Sequence, residues 1–527
     1  MNASAPLHGD APSAEAGSAP PRQTAAVAPS TATRPRHTAA LLVTIPLIWL
    51  ALWFGGLPFP NGDDPFFAGA AIHLSDTGQL ANPWITGWMQ WIPSVHLDRF
   101  YVHPPFASYV LAAWLSLFGV SAASTTAYAC TFGALASTAA AALFLRRRTG
   151  LLPATLAASI VILYLLHRGL RPEGLGLALL FLGNLLLPIP RRTPWFIGSL
   201  LVLASPFCHA FLIIFALPTI AFQGWTTRDN RREPAAFLTR PRLTIAAGIV
   251  IAALFLAAIR FEVSAFLNDF FGHALIVTPS AGKLSRFFEQ LAVGHTIIPN
   301  AAIFIAVALS LGWRFWSSPD ERRSLLLTVC AYLVVVSGGI LLYAPFTATY
   351  AVMFACFLTL VWATKLSAFP RFAALAPAGI LTAWGLLEHG IEYAINRRTP
   401  PADLAAIERY VAESQPDTVL FDASALRYVF DFKPPPNSRD IAWSWSAGLS
   451  DRWWSLDATG PRDVWVRKSR PDLARFDPKL LLEAPTLFGR SFNSLQPARS
   501  IVVIAGAALP VPARRFPFSQ LGPLPAN

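Results

Sequence analysis

Between residues 39 and 387 the chain consists of long apolar runs separated by short loops. A run of about 20 apolar residues crosses the ~30 Å hydrocarbon core of a bilayer as a helix. Inside lipid, backbone N–H and C=O groups must be satisfied within the protein, which restricts such segments to helices or closed barrels. The runs lack the alternation of barrel strands, so the chain is constrained to be a bundle of membrane helices. Composition agrees: 54% of residues are hydrophobic and 13% charged, where an average soluble domain carries roughly a quarter charged residues. On a soluble protein the net charge of +12 would point to nucleic acid. Here the basic residues sit in short loops between apolar runs, so topology accounts for them and no nucleic-acid partner is expected.

Residues 1–38 are rich in Ala, Pro, Ser and Thr and nearly free of large apolar side chains; the composition predicts a disordered tail. Arg34, Arg36 and His37 precede the first run, 39–57, which reads as an uncleaved signal anchor with the tail in the cytoplasm. Further spans are expected at 122–145, 151–166, 174–189, 195–222 (two helices broken near Pro206), 243–259, 297–311, 325–342, 350–362 and 373–387, about eleven in all by hydropathy. The segments this topology leaves in the cytoplasm carry roughly three times the Lys and Arg of the outer loops, as the positive-inside rule requires. Residues 106–119 are too short to span and read as a juxtamembrane helix. The predicted fold class is thus an all-α polytopic membrane protein, its membrane domain covering 39–395. An odd span count places the C-terminus outside. Residues 396–527 are richer in Pro, Asp, Arg and Trp and are expected to form a small extracytoplasmic α/β domain, with a helix at 402–413 and strands at 418–421, 463–466 and 501–504. Cys130, Cys208, Cys330 and Cys356 lie in or beside apolar runs without disulfide or metal-ligand spacing and read as small buried side chains.

The longest polar interruption of the membrane domain is the outer loop 58–106. Asp63 and Asp64 open it at the membrane surface, where a carboxylate could orient and deprotonate an acceptor hydroxyl. Asp64 followed by Pro65 is also a helix start, with Asp64 as N-cap of a short amphipathic surface helix over 66–74. Trp84, Trp88 and Trp91 suit an interfacial position. Arg99, Tyr101 and His103 precede Pro104-Pro105 at the next helix start, an arrangement suited either to a lipid phosphate or to ordinary interfacial anchoring. Arg168, Arg171 and Glu173 lie within residues 167–173, a stretch that with His167 places three basic groups and an acid at a second outer helix junction, against the positive-inside trend. Pro172 and Glu173 also have a local reading as first-turn residues. His209, after Pro206 in an apolar run, is a further candidate, with a satisfied structural contact as its alternative. Tyr343, Pro345 and Tyr350 mark an expected outer turn in the aromatic belt. Trp443, Trp445, Trp453 and Trp454 form a cluster suited to sugar stacking, a small core or membrane contact.

The order of these features resembles a known family. A span leads into Asp63-Asp64-Pro65-Phe66-Phe67-Ala68, then His103-Pro104-Pro105-Phe106, then a helix closing in Leu117-Phe118-Gly119. This is similar to the GT-C glycosyltransferases, in the branch of the protein O-mannosyltransferases and lipid A aminoarabinose transferases. The likeness runs from about residue 41 to 187. His103 stands where that family usually has Lys, and Phe67 where Tyr is common. The resemblance implies a multi-span helical core and a polyprenyl-phosphate sugar donor used on the outer face. It implies Asp63 as the residue that acts as base or orients the acceptor, His103 at the donor phosphate, and Arg171 and Glu173 at the second outer loop near the site.

The expectation is therefore an inverting membrane glycosyltransferase of the cytoplasmic membrane. Asp63 and Asp64 would serve catalysis; His103, Arg99 and Arg171 would hold the donor phosphate; Tyr101, Glu173 and His209 are further candidates. Its partners would be the lipid-linked donor, the bilayer, and a lipid, glycan or protein acceptor. No nucleotide and no obligatory metal cofactor is expected, although Asp63, Asp64 and Glu173 stay open as metal ligands. The alternatives are a lipid-linked glycan transporter and a non-catalytic envelope-assembly protein. Few ionisable residues fall inside the spans and no inverted repeat is evident, which weighs against a transporter.

Overall fold

The computed structural model describes residues 35–58, 64–82 and 99–396, the last range with short breaks of which 221–233 is the longest, and seven strand segments between Thr418 and Pro517. The expected tail (1–34 of it), Asp63, Trp84, Trp88, Trp91, the 402–413 helix, the 463–466 strand, Trp445, Trp453 and Trp454 lie outside the described residues.

The described membrane domain is helical: α1 (Pro35–Phe54), α2 (Asp64–Thr77), α3 (Phe106–Phe118), α4 (Ala122–Arg146), α5 (Leu151–Leu166), α6 (Glu173–Leu186), α7 (Arg192–Cys208), α8 (Pro234–Ala258), α9 (Val263–Val277), α10 (Lys283–Leu291), α11 (Ile297–Ser317), α12 (Arg322–Ala363) and α13 (Ala368–Asn396). Four helices are long and apolar enough to cross a membrane, at Pro35–Phe54, Ala122–Arg146, Thr239–Ala258 and Ile298–Ser317; shorter apolar helices accompany them. The arrangement is that of a polytopic membrane protein.

Small residues set how closely the helices approach. Trp49 of α1 is buried over Gly133 of α4, where a Cβ would meet the indole at 2.5 Å. The Trp49 indole N–H donates to Ser137 Oγ at 2.9 Å. Gly183 of α6 and Gly198 of α7 face each other so closely that a Cβ on either would lie 2.8–3.0 Å from the other's carbonyl oxygen. In lipid, where tails are as apolar as side chains, such close backbone packing is a main source of helix association. The buried core runs through α4, α5, α6 and the end of α7, with Ala140, Val161, Leu177 and Leu212 at its centre.

The 195–222 run is indeed interrupted. Pro206 lies inside the last turn of α7, and a proline cannot donate to the carbonyl four residues back. The hydroxyl of Ser205 donates to that carbonyl, Val202 O, at 2.8 Å instead. The helix ends at His209, which is extended (φ −141°, ψ 109°), before a single 3₁₀ turn at Ala210–Leu212.

Several features differ from expectation. Residues 325–342 and 350–362 form one helix, α12, of 42 residues. At 1.5 Å per residue it is about 60 Å long, beyond one bilayer thickness. The expected turn at Tyr343 and Pro345 is absent, and Tyr350 is buried at 1% exposure rather than placed in an aromatic belt. The α2 helix begins at Asp64 and is not a surface helix: Phe66, Phe67, Ala68, Ala70, Ala71 and Leu74 are all buried. It is covered by α3 and by the segment at Phe100, whose N–H donates to Leu80 O at 2.9 Å. Two helices, α9 and α10, fall where only an outer loop was expected. Cys330 is exposed, whereas the other three cysteines are buried.

Beyond residue 396, β1 (Thr418–Phe421) pairs parallel with β2 (Asp440–Trp443) and antiparallel with β6 (Val502–Ala505), with Val419 opposite Ile441 and Ile504. A parallel pair joins β3 (Leu480–Glu483) to β7 (Arg514–Pro517), and β4 (Thr486–Leu487) pairs with β5 (Arg490–Ser491).

Replacing Gly133 by Val should drive a side chain into the Trp49 indole and cost about 1–3 kcal/mol, read as a lower thermal midpoint in detergent. Gly338→Val on α12, where nothing lies within 4 Å of the added Cβ, should leave the midpoint nearly unchanged.

Candidate functional site

The turn between α5 and α6 carries the densest group of charges among the buried residues. Arg168 N–H donates to Leu165 O at 3.0 Å and Arg171 N–H to Arg168 O at 2.9 Å, which folds residues 168–172 back onto the end of α5. Glu173 then opens α6, where a negative charge is favoured by the helix dipole. Its side chain is wholly buried. Arg171 Nε donates to Glu173 Oε1 at 2.9 Å, and Arg168 Nη1 and His209 Nε2 each lie 4.0 Å from the same oxygen. The Arg168 guanidinium also covers the Tyr164 ring at 4.7 Å. A carboxylate stripped of water is costly unless cations and donors surround it, and here two guanidinium groups do so. Arg168 and Arg171 thus bring two formal positive charges to the Glu173 carboxylate.

The first outer loop docks on this turn. Asp64 is buried, and its Oδ1 accepts the Leu170 N–H at 2.9 Å. Gly169 makes the approach possible. Its φ is +52°, and a Cβ there would lie 2.4 Å from Asp64 Oδ1, so both its backbone and its missing side chain are required. Asp64 and the 168–173 turn, singled out separately in the sequence, are thereby brought into one unit. Asp63 lies outside the described residues.

His209 stands at the boundary of a second feature. Its ring lines a cavity of about 700 Å³ together with Val102, His103, Pro104 and Lys283, and the wall is otherwise apolar, with Phe207, Phe255, Phe266 and Phe270 prominent. His103 packs edge-on against Phe66 (5.3 Å between ring centroids) and beside Phe67 (5.1 Å). One histidine thus touches both the charged cluster and the apolar cavity. Tyr350 backs it, with its ring 6.1 Å from His209, 5.5 Å from Tyr164 and stacked on Phe211 at 5.2 Å.

Arg99 and Tyr101 are placed elsewhere. Arg99 Nε and Nη2 donate to the two carboxylate oxygens of Asp269 on α9, at 2.7 and 3.2 Å. The Tyr101 hydroxyl donates to Ile259 O at 3.1 Å. Burial, with the nearby Glu262 charge second, pushes the Tyr101 phenol up to about 12, so it stays a donor throughout the physiological range. Both residues fasten the loop to the α8–α9 corner, which Tyr109 also reaches through Ala258 O at 3.0 Å.

The sequence reading missed Asp269, Lys283 and Tyr164 as site residues, and it set Tyr350 in an aromatic belt rather than against His209. An acid flanked by phenylalanines, as in Asn268-Asp269-Phe270-Phe271, is the signal that could have found the first. Among the described residues no group of three His, Cys, Asp or Glu is placed to hold a metal.

No protein-family model matches the chain, and no curated protein matches it. Among solved structures, ArnT from Cupriavidus metallidurans, solved bound to undecaprenyl phosphate, aligns at 15% identity with a TM-score of 0.34. The alignment covers 71% of this chain and 64% of ArnT's, so the chain spans under two thirds of that protein's length. At that TM-score no residue of ArnT is mapped onto this one.

Replacing Glu173 by Leu would leave Arg168 and Arg171 facing each other without a carboxylate between them. The loss should be about 3–5 kcal/mol, seen as a collapse of the folded, monodisperse fraction in detergent. Glu173→Gln, which keeps the shape, should be milder.

Proposed function

We propose that the chain is a membrane glycosyltransferase that moves a sugar from a polyprenyl-phosphate donor to an acceptor on the outer face of the cytoplasmic membrane. The observation that carries this reading is His209, shared between a buried cluster that holds two guanidinium groups and an apolar cavity. A lipid-linked phosphosugar needs that combination. Its chain seeks an aromatic-lined apolar space, and its phosphate seeks cations where the apolar space ends. The order of motifs in the first 190 or so residues, with Asp63-Asp64 and His103-Pro104-Pro105, supports the same reading.

In this mechanism the acceptor hydroxyl or amine attacks the anomeric carbon from the face opposite the phosphate. The new bond forms as the bond from that carbon to the phosphate oxygen breaks, with inversion. The acceptor's proton passes to the Asp63 carboxylate, and the polyprenyl phosphate leaves with the bonding electrons. His103 and Arg171 stabilise the leaving phosphate, and exclusion of water strengthens those contacts. Asp64 holds the first loop on the Gly169-Leu170 turn. With its charge engaged by Asp269, Arg99 serves the loop's placement more naturally than the phosphate. No nucleotide or metal takes part in the step. In this reading the N-terminus lies in the cytoplasm, and the strands after residue 417 belong to an extracytoplasmic domain.

Asp63→Asn should abolish transfer while insertion and thermal midpoint stay at wild-type values, assayed on purified protein with polyprenyl-phosphate sugars and the lipid fraction as acceptor. Wild-type turnover in that variant would remove Asp63 from the mechanism.

A further inference from the structure

The α9 helix is held by little. Among its residues with described side chains only Phe266 and Asp269 are buried, while Val263, Leu267 and Phe271 are exposed. It follows α8 through a tight corner in which Arg260 and Phe261 both have positive φ (53° and 62°), a conformation that non-glycine residues adopt rarely and a bulky side chain more rarely still. Yet α9 supplies one wall of the cavity through Phe266, Phe270 and Phe271. The same cavity is also lined by Val102, His103 and Pro104, the first of them only three residues beyond Arg99 in the chain. The two bonds from Arg99 to Asp269 therefore tie these two parts of the lining together.

The Asp269 carboxylate has 2% of its side chain exposed and the Arg99 side chain 26%. A bidentate guanidinium–carboxylate pair fixes orientation as well as distance. Phe266 and Asp269 are three residues apart and Phe266 and Phe270 four apart, so anchor and cavity wall share one side of the helix. Tyr101, between Arg99 and His103, reinforces the joint through Ile259 O and lies 6.2 Å from the Phe266 ring.

We propose that Asp269 is a positioning residue for the lipid-linked donor: by gripping Arg99 it sets the position of the α9 wall relative to His103, and so the width of the cavity that takes the lipid chain. The inference rests on the donor reading given above. It assigns Arg99 to this grip rather than to the phosphate. Asp269 touches no reacting atom. Its loss acts on donor binding more than on the chemical step.

The test uses full-length protein in nanodiscs. Binding of undecaprenyl phosphate is measured for the wild type, Asp269→Asn, Arg99→Ala and the charge exchange Arg99→Asp with Asp269→Arg; donor KM and kcat are measured on the same samples. The neutral variants should weaken binding and raise donor KM by roughly tenfold, with kcat at saturating donor changed far less. The exchange should restore much of the loss, which a phosphate-binding Arg99 would not allow. Thermal midpoints show which variants fold, and the exchange covers the case in which Asp269→Asn does not. Wild-type affinity in Asp269→Asn, or an exchange as weak as Arg99→Ala, overturns the inference. If the wild type itself does not bind undecaprenyl phosphate, the donor reading fails instead.

Discussion

The buried Glu173 carboxylate is the constraint on which the membrane domain depends. An acid fully removed from water survives only where opposite charge is brought to it. Arg171 supplies that charge at 2.9 Å and Arg168 at 4.0 Å. Both come from the turn that Glu173 itself terminates, so α5 and α6 are locked in relation to one another. The break in α7 is fixed by the same centre, because His209 lies 4.0 Å from the carboxylate where Pro206 and the extended His209 backbone end that helix. The Asp64 bond to Leu170 N–H then adds the first outer loop. Three stretches far apart in the chain, at residues 64, 165–173 and 206–209, thus meet around one pair of acids.

Around this centre the structure separates two physical tasks. Charge is concentrated on the 168–173 turn, and apolar volume between α7, α8 and α9. His209 joins them. Packing of small residues, as at Gly183 and Gly198, brings α6 and α7 close enough for one histidine to serve both. The loop that carries His103 is fastened by Arg99 to α9 and by Tyr101 to the α8–α9 corner, which Tyr109 of α3 also reaches. The placement of His103 therefore depends on contacts that lie outside the charged centre.

Much of this architecture is written locally. Helices α3 to α6 fall within a few residues of the apolar runs, because Gly119, Arg146 to Arg148 and the Pro172-Glu173 pair mark their ends in the sequence. The 263–277 segment was not legible as a helix because Asn268, Asp269 and His273 interrupt an apolar run already shorter than a span. The α12 helix runs through Tyr343 and Pro345, where aromatic and proline residues suggested a turn; tertiary packing around Tyr350 outweighs that local signal. For the site, residue types announced the candidates but not their partners. Nothing local indicates that Asp64 meets Leu170, that Arg99 meets Asp269, or that Gly169 is bare to admit a carboxylate. Such pairings span 106 and 170 residues of chain and arise only when the helices have packed.

The most direct measurement is a structure of the protein in a lipid nanodisc with a non-transferable polyprenyl-phosphate sugar. The account predicts the lipid chain along Phe207, Phe255 and Phe270, the phosphate beside His103 and Arg171, and the sugar turned toward Asp63. A lipid bound elsewhere, or passing through a channel open to both faces of the membrane, would contradict it and favour transport over transfer.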